Sequence, residues 1–195
     1  LRAALLLGAS AILLLAFRAF ESQRGPDLEP WHTFRPHELK AAELEDLGWA
    51  EYLEKEDALF QEVLEQVTRE LPAEDRVPVN RYFAGSPVHP AGFARDWNRS
   101  FVLEPEGKPR GAAVLLHGLT DSPYSVRPVA ERYRALGYVA VAIRLPGHGT
   151  VPGSLADVAW ADWTAATRLA VREARSRAGA GAPLHLVGYS TGGAL

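Results

Sequence analysis

From Arg99 onward the apolar positions fall in short runs separated by longer stretches of helical periodicity. That alternation is expected of strands joined through helices into a mostly parallel sheet. The runs predict an edge strand over 100–103, a strand over 111–116, and further strands over 138–145 and 184–187. The second of these, Gly-Ala-Ala-Val-Leu-Leu, is almost continuously apolar, as a strand covered on both faces should be. Between them, 123–136 predicts a helix stopped by Gly137, and 157–178 a helix whose Trp160, Trp163 and Leu169 share an inner face. Upstream, Leu44, Leu47, Tyr52, Leu59, Phe60, Val63, Leu64, Val67 and Leu71 recur at helical spacing, which predicts one or two amphipathic helices ending before Pro72.

The first residues follow a different pattern. Residues 3–17 are 15 consecutive uncharged positions, mostly Leu and Ala, between Arg2 and Arg18. As a helix they span roughly 22 Å, short of a ~30 Å hydrocarbon core unless the arginines snorkel outward. Three readings stay open: a cleaved signal peptide, an uncleaved signal anchor and a buried core helix. The anchor is favoured, because the bulky and charged residues after the run do not suit a signal peptidase. An anchored or exported protein, on the periplasmic or extracellular side, is the corresponding expectation. Residues 21–37, with Pro26, Pro30 and Pro36, predict an extended linker. The expected organisation is thus 1–20 membrane-directed, 21–37 linker, 38–96 acidic and helical, and 97–195 an α/β unit.

Composition narrows the function. The 195 residues carry 21 basic and 24 acidic side chains, a net charge of −3, so no basic surplus exists to neutralise a phosphate backbone and a nucleic-acid partner is not expected. Residues 38–75 alone hold 13 acidic residues against Lys40, Lys55 and Arg69, which reads as a solvated acidic face over a packed stripe. Cysteine is absent, excluding disulfides, thiolate metal sites and cysteine nucleophiles. His117 and His148 stand apart with no H-x-x-x-H or carboxylate cluster, so neither a metal nor another cofactor is expected. Methionine is absent even at position 1, and Leu195 follows the last motif without a stop signal, so an internal fragment is expected.

Chemistry concentrates in three loops at predicted strand ends. After the last strand stands Gly188-Tyr-Ser190-Thr-Gly192-Gly. A serine hydroxyl is a poor nucleophile that gains exposure at the tip of a tight strand-to-helix turn, and Gly188 and Gly192 remove the flanking side chains that would collide there. A helix start behind the serine would aim amides at a developing oxyanion, with the Thr191 N–H as first donor. The second loop, Leu116-His117-Gly118-Leu119-Thr120, opens on the same sheet edge. Gly118 permits close backbone approach, and the Leu119 N–H is the candidate second donor, each such donor being worth roughly 3 kcal/mol. The third is Pro146-Gly-His148-Gly149, a sharp turn. Both loop histidines are read as structural, because neither follows the serine, and His185 as a core or edge residue of its strand.

In these three motifs, taken in order, residues from about 97 to 195 resemble the N-terminal half of an α/β-hydrolase, near the bacterial carboxylesterase and monoacylglycerol lipase branch. The resemblance implies that Ser190 is the nucleophile, that the Leu119 and Thr191 amides form the oxyanion hole, and that His117 and His148 shape their loops. It implies a serine hydrolase acting on carboxylic esters with lipophilic acyl groups. It also implies an acid and a base histidine after the nucleophile, beyond Leu195, so the 195 residues alone are expected to be inactive and poorly stable, with an open sheet edge. Acyltransferase, lactonase and peptidase chemistries use the same apparatus, and a non-catalytic binding module on this fold is the rival from another class. No oligomeric state is legible.

Overall fold

The computed structural model describes residues 2–23, 25 and 27–195. Leu1, Arg24 and Pro26, which entered the readings of the N-terminal segment and linker, lie outside them. Helix α1 spans Arg2–Gln23, with Leu13, Leu15 and Phe17 among its exposed side chains. Among the described residues no helix is long and apolar enough to cross a membrane. The expectation of a spanning segment is therefore unsupported; α1 continues through Arg18 and Glu21, charged positions that a span would have to exclude. The linker is also not wholly extended, because Pro30 starts a one-turn helix, α2 (Pro30–Thr33), at a position where proline's missing N–H costs nothing.

The acidic region forms two helices, α3 (Ala41–Asp46) and α4 (Trp49–Val63), the latter running into a π turn over Leu64–Thr68. Leu47 and Gly48 part them in extended conformation, and the stripe of Leu44, Tyr52, Leu59, Val63, Val67 and Leu71 is buried. The α/β portion contains β1 (Phe101–Leu103), β2 (Gly111–Leu116), α5 (Pro123–Ala135), β3 (Tyr138–Ala142), α6 (Trp160–Ala178) and β4 (Leu184–Gly188). Two of these depart from the predicted ranges by more than one residue. Helix α6 starts three residues late, because the Asp162 carboxylate accepts the Ala159 N–H at 2.8 Å and fixes the helix start, while Pro152–Asp157 coils as a 3₁₀ turn. Residues Ile143–Leu145 are buried but lie past the β3 ladder, where the chain turns into the Arg144 loop.

The sheet order is β1-β3-β2-β4, with β1 antiparallel to β3 and the other pairs parallel. Side chains of β2 alternate between two cores. Ala112, Val114 and Leu116 pack with Val139, Val141 and the α6 residues Ala166, Leu169 and Ala170, and onto Leu44 and Tyr52 of the N-terminal helices. Ala113 and Leu115 pack with Ala140, Ala142 and α5 through Val126 and Ala130. Among the described residues β4 pairs with β2 alone, and Leu186 on it is 61% exposed.

The acidic region is not simply a solvated face. Glu38 and Glu56 are almost wholly buried and hold the equally buried Arg144, which follows β3. Glu38 takes two guanidinium nitrogens at 2.9 and 3.0 Å, and Glu56 takes Nε at 3.3 Å. Ser100 bridges them, accepting the Arg144 N–H and donating to Glu56 through its hydroxyl, both at 2.7 Å. Burial alone would lower the guanidinium pKa, but Glu38, Tyr52 and Glu56 hold it above its ordinary value. Removing Arg144 leaves two carboxylates dry and unpaired, so Arg144→Leu is expected to cost about 3–5 kcal/mol in chemical denaturation. Arg168→Ala, which breaks an exposed pair with Glu45, is expected to cost less than about 1 kcal/mol.

Candidate active site

β4 ends at Gly188, and the chain turns through Tyr189 into a four-residue 3₁₀ turn, Ser190–Gly193. Ser190 sits at φ +51°, in the left-handed region that non-glycine residues enter at a cost of roughly 1–2 kcal/mol. The surroundings enforce it. A Cβ on Gly188 would lie 2.1 Å from the Gly192 carbonyl oxygen, and one on Gly192 would lie 2.4 Å from the Leu116 carbonyl oxygen. The Tyr189 N–H donates to that same Leu116 oxygen at 3.1 Å, tying the corner to the end of β2. Ser190 is exposed, and among the described residues its hydroxyl has no hydrogen-bond partner.

The loop after β2 lies against this corner. A Cβ on Gly118 would come within 3.3 Å of the Ser190 Cβ and 3.1 Å of the Tyr189 ring, so only a glycine lets the two segments sit this close without displacement. Thr120, two residues on, also has a positive φ, +58°. Among the described residues neither the Leu119 nor the Thr191 N–H donates to a backbone acceptor.

His117 is fully buried and neutral. Its Nδ1 donates to the Gly118 carbonyl at 2.9 Å, which requires the proton there, and its Nε2 accepts the Leu145 N–H at 3.1 Å. Burial pushes its pKa down to about 4. The ring thus clamps the β2 loop to the β3 loop. His148 is 2% exposed, shifted down by burial in the same way, and donates from Nδ1 to the Pro146 carbonyl at 3.0 Å. Its ring stands 5.0 Å from His117 and 5.5 Å from Trp163, whose indole N–H reaches the same Pro146 oxygen. His185 lies elsewhere, at the sheet edge, where its Nδ1 is 3.1 Å from the Tyr133 hydroxyl.

The structure therefore brings Ser190, Gly118, Gly188 and Gly192 into direct contact and places His117 and His148 behind them. What the sequence reading missed is Arg144, whose guanidinium also donates to the His148 carbonyl at 3.0 Å and so fixes the third loop. The available signal was an arginine directly after a buried strand and before Pro-Gly, with unmatched acids upstream. Among the described residues no group of three or more His, Cys, Asp or Glu could hold a metal ion.

Residues 113–195 match the Alpha/beta hydrolase family, the family that the motifs of this segment resemble. Over 82 residues the chain is 34% identical to a thermostable monoacylglycerol lipase from Bacillus sp. (strain H-257), covering 42% of this chain and 32% of that protein. A solved structure described under "LipS and LipT, two metagenome-derived lipolytic enzymes" is 34% identical, with a TM-score of 0.45, covering 50% of this chain and 38% of that one. The chain spans about a third of the length of the curated relative it matches.

The His117 clamp has a pH signature. An unfolded imidazole titrates near 6.5, while the native ring resists protonation until about 4. Between those values the unfolded chain binds more protons, so stability is full above about pH 6.5 and falls as the pH drops towards 4, by about 3 kcal/mol for this group. Denaturation midpoints across that range are expected to show the loss, and His117→Asn, weaker at neutral pH, is expected to show a smaller one, with His148 and His89, both also shifted down by burial, contributing to the remainder.

Proposed function

We propose that the intact protein is a serine hydrolase that cleaves carboxylic esters, with lipophilic acyl groups, through an acyl-enzyme on Ser190. The observation that carries this reading is the exposed Ser190, held at positive φ on a glycine-cleared corner and packed against Gly118. The lipolytic relatives support ester hydrolysis as the reaction class.

In this mechanism the Ser190 oxygen attacks the ester carbonyl carbon as its proton passes to a base histidine. The carbonyl oxygen, now negative, is met by the Leu119 and Thr191 N–H groups, which among the described residues have no competing backbone acceptor. Collapse expels the alcohol, which takes the proton from the histidine, and leaves the acyl group on Ser190. Water, activated by the same base, then releases the carboxylic acid and restores the hydroxyl. The base and its acid partner are supplied by residues following Leu195. His117 does not fill the role, because both its ring nitrogens are already engaged in the loop clamp. An exported, membrane-attached location belongs to the same proposal, supported by the exposed apolar side chains of α1.

The test is labelling of the full-length protein with a fluorophosphonate probe, together with hydrolysis of p-nitrophenyl esters of increasing chain length. Wild type is expected to label and to turn over, and Ser190→Ala to lose both by at least about 10³-fold. A silent wild type would remove the hydrolase reading.

A further inference from the structure

We propose that the cleft bounded by Arg81, Arg95 and Arg127 binds an anionic amphiphile, a phosphate or carboxylate head joined to an apolar chain. The cleft is open and encloses about 700 Å³, within the range of small-molecule sites. Its cationic wall is unusual in a chain whose net charge is −3. Trp97 carries two guanidinium groups on its ring, Arg95 at 4.4 Å and Arg127 at 5.2 Å from the centroid. Stacking through the flat face leaves a guanidinium's N–H edges free to meet an oxyanion.

Those edges are little used within the protein. Among the described residues Arg81 and Arg95 have no carboxylate at ion-pair distance. Arg127 pairs with Glu131 through Nε at 3.5 Å, a nitrogen that is buried, and among the described residues its terminal nitrogens make no hydrogen bond. Asp96 also lines the cleft, yet its carboxylate accepts from the Asn98 backbone and side-chain nitrogens at 3.0 and 2.8 Å and lies 3.5 Å from Arg99. The acid is thus occupied by its own neighbours, and the arginines keep a positive excess. Apart from Asn98, the rest of the wall is mostly apolar, with Val88, Phe93 and Tyr124 each about half exposed. A cationic rim and an apolar wall in one cleft match a ligand that is charged at one end only.

A second, smaller cleft of about 310 Å³ shares Arg81, Asn98 and Tyr124 with the first and continues to Thr120, Asp121 and Ser122. The amphiphile site therefore opens towards the loop that follows Leu119. Its binding does not depend on Ser190 being a nucleophile, so the two readings are tested apart.

The experiment is calorimetric titration of the full-length protein carrying Ser190→Ala with hexyl phosphate, hexanol and inorganic phosphate. Hexyl phosphate is expected to bind at least about tenfold more tightly than either partial probe, and Arg95→Gln with Arg127→Gln to remove that advantage. Arg81→Gln, on a separate segment, is the second variant and is expected to weaken hexyl phosphate while sparing hexanol. Vesicles of phosphatidylcholine with and without phosphatidic acid separate the sources of the ligand. Co-sedimentation with anionic vesicles alone, lost in the arginine variants, assigns the cleft to lipid headgroups. Hexyl phosphate binding without co-sedimentation assigns it to a free amphiphile. Equal affinity for hexyl phosphate and hexanol, or undiminished hexyl phosphate binding in the variants, overturns the proposal. Failure of fluorophosphonate labelling would leave it standing.

Discussion

Arg144 is the constraint on which the arrangement rests. A guanidinium cannot leave water without anions and acceptors to replace its hydration, and here Glu38, Glu56 and the His148 carbonyl take that place. To reach the arginine, the acidic segment must lie across the sheet, and in doing so it buries Leu44 and Tyr52 in the same core as Val114 and Val141. Charge pairing and apolar burial therefore enforce one geometry. The Tyr52 hydroxyl adds a further tie, lying within hydrogen-bond distance of Glu56, Ser100 and the Arg144 carbonyl.

From that point order passes to the candidate site along short, directional contacts. Arg144 fixes the loop through His148, the adjacent Leu145 N–H engages His117, and His117 holds the Gly118 carbonyl against which the Ser190 corner packs. Because β2, β3 and β4 run parallel, the three loops emerge on one edge. Among the described residues the two non-glycine ones with positive φ, Thr120 and Ser190, stand on facing loops. Backbone strain is thus gathered where neighbouring segments can restrain it.

The strands and helices after Arg99 were legible because burial on both faces leaves uninterrupted apolar runs, as in 111–116, and because Gly137 marks a helix end. The Ser190 corner was legible because steric need writes glycine at 188, 192 and 118, and glycine is visible in one dimension. The start of α6 was missed because a side chain, Asp162, decides it over the apolar pattern. The Arg144 cluster was missed for a different reason. Ion pairing across such separations leaves no periodicity, and Glu38 and Glu56 look no different in sequence from their solvated neighbours Glu54 and Asp57.

The separations themselves, 106 residues from Glu38 to Arg144 and 88 from Glu56, bear on how the chain matures. During synthesis both carboxylates leave the ribosome well before their cation exists. The N-terminal helices must therefore wait, hydrated and incompletely packed, until β3 has been translated. The contacts of this ion cluster are thus of the non-local kind, whose loop-closure entropy has to be met before they contribute.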